Sequence, residues 1–221
     1  ATAADVNREW VALTVGPGPW SARMEYAAMS AAEHVRPVRY VLGTFDVLNI
    51  RYAVGGSFAS STHGYARYTQ DLDVIAEPFP GKERLFAMRF PADEWYADES
   101  MIRDAVDRRA SFNLLHLPTG FKIDVFVRKD RAFEREMLSR RVKAAVFGEG
   151  EGEYGVVTAE DSVLLKLEWY RLGGETSDRQ WNDILGVLRV QADRLDGGYL
   201  DRWAADLGVA DLLARARGDA G

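Results

Sequence analysis

The sequence predicts an α+β chain: a small mixed β-sheet flanked by helices, followed by a C-terminal helical part. Three observations carry this. Residues Tyr52–Ala76 read as strand, glycine turn, short helix and a second strand. Ser111–Leu117 and Phe121–Val127 read as two strands joined by Pro118-Thr119-Gly120, a short glycine-containing hairpin loop. From Ala159 onward the apolar residues recur at helical spacing.

Residues 1–30 form an N-terminal extension of unclear role, in which Gly16-Pro17-Gly18-Pro19 breaks any regular element. Val38–Ile50 reads as an amphipathic helix with Val41, Leu42, Phe45, Leu48 and Ile50 near one face. Tyr52-Ala53-Val54 is apolar and β-prone, and Gly55-Gly56 ends it. Ser57 follows where a helix begins, and a helix start offers free backbone N–H groups to an anion. Glycine lets a phosphate approach that backbone closely. The next strand carries Asp71 and Asp73, which share a face because side chains alternate along a strand. Two adjacent carboxylates repel unless a cation lies between them. Mg²⁺ takes one or two carboxylates together with substrate phosphates. A turn alone or a solvated strand face alone would explain each half; their order and spacing favour a phosphate cradle followed by a metal clamp.

Lys82–Met88 reads as a short helix, and Asp93–Arg109 as a charged stretch with helical spacing in its second half. Asp124 sits among hydrophobic residues in the second hairpin strand, beside the Asp71/Asp73 strand if the two are neighbours. Arg128–Lys143 is basic, which suits either a solvated helical face or a patch for phosphates. Gly155–Thr158 reads as a short strand. Thr158 is an N-cap residue with acids in the following turn. Helices are expected over Ser162–Leu172, Ser177–Gln191, Leu195–Leu207 and Val209–Ala216, with Lys166 in an apolar surround and Asp183 beside the core face.

The chain has 221 residues, enough to bury a core. It has no cysteine, which excludes disulfides and thiolate metal sites and suits a cytoplasmic protein. His34, His63 and His116 lack zinc spacing. No apolar run has transmembrane length and no signal peptide is evident, so no membrane partner is expected. The net charge of −6 argues mildly against coating nucleic acid.

Gly56-Ser57 followed by Asp71-x-Asp73, with Arg67 and Thr69 just before the aspartates, resembles the nucleotidyltransferase superfamily related to polymerase β. Glu160-Asp161, Lys166-Leu167-Glu168-Trp169 and Arg179-Gln180-Trp181-x-Asp183 resemble the C-terminal helices of AbiEii-type bacterial nucleotidyltransferases, toxins of abortive-infection toxin–antitoxin pairs. The resemblance implies a nucleotidyltransferase core over 31–157 and a helical region over 158–221. It implies Mg²⁺ or Mn²⁺ held by Asp71, Asp73 and Asp124, with Lys166 as a further catalytic residue. Gly55, Gly56, Ser57, Arg67, Thr69 and Asp183 would bind the nucleotide. The implied reaction moves a nucleoside monophosphate from an NTP to an acceptor hydroxyl or phosphate. The acceptor stays open between tRNA, a protein and a small molecule such as an antibiotic. A cognate antitoxin is an implied partner, and a non-catalytic nucleotide-binding or interaction module is the alternative.

Overall fold

The computed structural model describes residues 35–66, 69, 71–146 and 152–221. The 1–30 extension and Arg67 lie outside the described residues. A seven-stranded mixed sheet has the order β3-β4-β5-β2-β1-β7-β6. Its strands are β1 Tyr52–Val54, β2 Asp71–Ala76, β3 Trp95–Tyr96, β4 Ser111–His116, β5 Phe121–Val127, β6 Val142–Ala144 and β7 Tyr154–Val156. Helix α1 runs through residues 35–47. It is followed by α2 Gly56–His63, α3 Glu83–Ala87, α4 Glu99–Arg108 and α5 Ala132–Arg140. The C-terminal part holds α6 Ala159–Leu172, α7 Asp178–Gln191, α8 Gly197–Asp206 and α9 Ala210–Ala220.

Alternation in the two central strands builds the two faces of the sheet. Leu72, Val74 and Ala76 of β2 and Phe121, Ile123, Val125 and Val127 of β5 are buried. Their alternates, Asp71, Asp73 and Ile75 with Lys122, Asp124 and Phe126, are only partly covered. Helices α1 and α3 cover the apolar face through aromatic contacts. Phe86 lies 5.0 Å from Phe45 and 5.9 Å from Phe112 between ring centroids. Aromatic pairs at such separations add to the burial of their large surfaces. The buried apolar residues of the sheet and of the C-terminal helices belong to one contiguous core.

Helices α6 and α7 form an antiparallel pair turned at Gly173-Gly174, with Gly174 at φ +71°. Each helix of the pair has a side-chain cap: Thr158 accepts from the Asp161 N–H, and Ser177 from the Gln180 N–H. The last turn of α2 is fixed to both neighbours. His63 Nε2 donates to the Val157 carbonyl at 2.7 Å, and the Gln191 amide donates to the His63 carbonyl at 2.6 Å. At Gly64 a Cβ would stand 2.9 Å from the Val187 nitrogen of α7, so the two backbones meet where no side chain fits.

Two short strands were not expected. Trp95–Tyr96 pairs with His116–Leu115, and Val142–Ala144 overlaps the end of the basic stretch Arg128–Lys143, for which a helical face was one of two readings. That stretch is helical only over Ala132–Arg140. The first helix also ends earlier than its apolar pattern suggested. Asn49 turns the chain at φ +50°, which leaves Leu48 and Ile50 beyond the helix. Among the described residues no helix is long and apolar enough to cross a membrane.

Candidate active site

Gly55 follows β1 and donates its N–H to the Asp73 carbonyl at 2.9 Å, so the glycine turn lies against β2. Gly56 opens α2 at φ +54°, a conformation that side chains resist. A Cβ there would stand 1.6 Å from Asp73 Oδ2. The glycine is therefore required twice, by its dihedral angle and by the carboxylate beside it. Ser57 is buried at the start of the same helix.

Strand β2 lies between β1 and β5 and pairs in parallel with β5, which places Asp73 opposite Asp124 and Asp71 opposite Lys122. The three aspartates thus share one face of the sheet, as the hairpin reading required. Thr69 donates its hydroxyl to Asp71 Oδ1 at 2.7 Å. The Lys122 ammonium lies 2.7 Å from Asp124 Oδ2. That contact raises the Lys122 pKa by favouring its charged form. Asp73 is pushed up to about 6, first by burial and then by repulsion from Asp71 and Asp124. Lys166 and Lys122 oppose the shift without cancelling it.

Lys166 projects from α6 and pairs with Asp183 of α7 at 2.8 Å, each side chain 9% exposed. The expected lysine and aspartate therefore meet as a buried ion pair at the edge of the carboxylate cluster. A cleft of about 670 Å³ opens over this group. Gly56, Ser57, Asp71, Asp73, Lys166 and Asp183 line its inner end. Ile75, Phe126 and Trp169 supply an apolar wall, and Arg109, Lys129 and Arg179 also line it.

The basic stretch divides. Arg128, Lys129 and Arg131 reach the cleft. Arg131 is held by Glu134 and by two oxygens of Glu168. Arg135 pairs with Asp130, and Arg140 with Glu160. Most of its charge is thus balanced within the protein. Sequence reasoning missed Arg109, Phe126, Trp169, Arg179 and Gln180 as cleft residues. They come from four elements whose meeting depends on the sheet order and the α6–α7 turn.

The donor set suits a hard divalent cation. Asp71 and Asp73 offer oxygen ligands on one face, and mutual repulsion leaves Asp73 short of positive charge. Among the described residues, however, no group of three or more acidic or histidine side chains is arranged to hold a metal ion unaided. A cation here would take two carboxylates from β2 and complete its shell from ligand and water, as Mg²⁺ commonly does.

No protein-family model matches the chain, and no curated protein matches it. Among solved structures it is similar to the antibiotic-resistance factor ANT(2'')-Ia at 13% identity, over 86% of this chain and 99% of that one, with a TM-score of 0.47. It is also similar to an antigenic nucleotidyltransferase-like protein from Paracoccidioides brasiliensis. There the identity is 14%, over 84% of this chain and 93% of that one, with a TM-score of 0.43.

Proposed function

We propose that the chain is a metal-dependent nucleotidyltransferase that moves a nucleoside monophosphate from an NTP to an acceptor hydroxyl or phosphate. The observation that carries this is the contact between the glycine turn and the carboxylates. Gly56 admits no Cβ because Asp73 Oδ2 occupies that space, at the inner end of a cleft large enough for a nucleotide. A site for phosphates thus abuts a site short of positive charge.

In this reading the Gly55 and Gly56 backbone and Ser57 hold the terminal phosphates. Lys166, steadied by Asp183, sets positive charge beside them; Arg67 adds a second cation and Thr69 orients Asp71. Mg²⁺ or Mn²⁺ held by Asp71 and Asp73, with Asp124 adjoining, would supply charge neutralisation on the phosphates. Asp124 takes the proton of the attacking hydroxyl. The acceptor oxygen bonds to the α-phosphorus, the bond to the bridging oxygen breaks, and pyrophosphate leaves. Positioning and fixed charge supply most of the rate in such chemistry.

The finer reading is a toxin of a toxin–antitoxin pair that modifies tRNA. It rests on the likeness of 160–185 to AbiEii-type helices, and the Lys166–Asp183 pair supports it. Protein adenylylation and antibiotic modification share the same first step and differ only in acceptor.

The test is incubation with Mg²⁺ and each of four α-³²P-labelled NTPs in the presence of total cell RNA and protein extract, with Asp73→Asn as control. Label is expected in one acceptor class, and only with the wild-type protein. Equal transfer by Asp73→Asn would remove the metal assignment.

A further inference from the structure

The cleft has an axis that the elements define. From Asp73 to Ile75 and from Asp124 to Phe126 is two residues along parallel strands, about 6.6 Å. From Lys166 to Trp169 and from Asp183 back to Gln180 is three residues along antiparallel helices, about 4.5 Å. Tyr170 and Trp181, with ring centroids 5.0 Å apart and planes tilted 35°, mark that helix register. All four steps leave the carboxylates in the same direction. One layer out from the charged group the cleft therefore presents Ile75, Phe126, Trp169 and Gln180.

This layer has two properties that the catalytic reading does not use. Trp169 is 50% exposed although it lies in the cleft, with its ring 5.8 Å from Phe126 and tilted 60° to it. A large aromatic surface is thus left facing the cavity. Gln180 Oε1 is buried and has no hydrogen-bond partner. It is not isolated in this. Buried side-chain polar atoms on Arg128, Glu134 and Ser162, also cleft residues, likewise have no hydrogen-bond partner among the described residues. Buried polar groups ordinarily find partners, so these cleft residues keep hydrogen-bonding capacity that the protein itself does not use.

We infer that Trp169 is the stacking surface for the purine or pyrimidine base of the NTP, and that the Gln180 amide reads the edge of that base. The inference rests on the nucleotidyltransferase reading of the same cleft and deepens it by assigning the part of the nucleotide away from the phosphates. A flat ring suits an exposed indole face. A carboxamide offers one donor and one acceptor side by side, which matches the paired groups on a base edge. The distance fits as well: a base lies one sugar away from the α-phosphate, and this wall lies one layer away from the carboxylates.

The test is calorimetric titration of the full chain with each of four NTPs and with inorganic tripolyphosphate, all with Mg²⁺. Wild type should bind at least one NTP more tightly than tripolyphosphate. Trp169→Ala should weaken that NTP roughly 10- to 100-fold and leave tripolyphosphate unchanged. Trp169→Phe should keep most of the affinity, because a smaller ring still stacks. Gln180→Leu should weaken the preferred NTP several-fold and narrow the spread among the four. Unchanged NTP binding by Trp169→Ala, or an equal loss for tripolyphosphate, would overturn the ring assignment alone. Wild type that binds neither NTP nor tripolyphosphate would overturn the nucleotidyltransferase reading and this inference with it. Thermal melting of each variant checks the fold, and a half-exposed indole is a tolerant place for substitution.

Discussion

Two aspartates in this molecule, one wholly buried and one partly, are provided for in opposite ways. Asp161, fully buried in the first turn of α6, accepts hydrogen bonds from the Tyr199 hydroxyl at 2.6 Å and the Thr158 hydroxyl at 2.8 Å. The Arg140 guanidinium stacks 3.5 Å over the Tyr199 ring. Burial pushes the Asp161 pKa up, and these partners pull it back. Asp73 has no side-chain hydrogen-bond donor among the described residues, and its carboxylate neighbours add to the cost of burial. The first site is complete within the protein. The second is left with a charge deficit that a bound cation would fill. A buried carboxylate is structural when its partners come from the same chain, and a candidate for chemistry when they do not.

Substitution separates the two cases. Asp73→Asn is expected to lower nucleotidyl transfer at least ~10³-fold, about 4 kcal/mol of transition-state stabilisation, and to leave the melting temperature unchanged or higher. Asp161→Ala is expected to do the reverse. It should cost about 3 kcal/mol in urea unfolding, because it strands Tyr199 and Thr158 without an acceptor. Similar stability losses in both variants would erase the distinction.

Proton linkage gives a third measure. The folded pKa of Asp73, about 6, lies above the ordinary carboxylate value of the unfolded chain. The native state therefore holds the extra proton between about pH 4 and 6. Stability from this group falls as pH rises through that window and stays lower above it. Asp73→Asn lacks the dependence, so its advantage over wild type should grow by about 1–2 kcal/mol from pH 4 to pH 7 without divalent metal. A constant difference across unfolding curves would mean that Asp73 is not perturbed. The smallest expected effect is Tyr199→Phe, about 1 kcal/mol of stability, since Thr158 still serves Asp161.

The inner end of the cleft was legible in the sequence because it is local. Gly56, Ser57, Asp71 and Asp73 fall within one short stretch, and strand alternation alone puts both carboxylates on one face. Asp124 was legible one step further, through the hairpin that brings β5 beside β2. The outer layer was not legible. Phe126 read as one more strand hydrophobic, and Trp169 and Gln180 as helix residues; only the sheet order and the α6–α7 turn bring them together. Strands β3 and β6 escaped for a related reason. Two or three residues carry too little alternation to register, and such strands exist because a neighbour's edge offers hydrogen bonds.

The approach at Gly64 has a mechanical consequence. The helix that starts at the Gly56 turn and the helix that bears Asp183 touch backbone to backbone, with clearance for a hydrogen atom and nothing larger. Bonds from His63 to the end of β7 and from Gln191 to His63 brace the same joint. The glycine-turn end and the lysine–aspartate end of the cleft are therefore held to one frame. Close approach is thus repeated at a second position with no side chain, one helix length from the Gly56 turn.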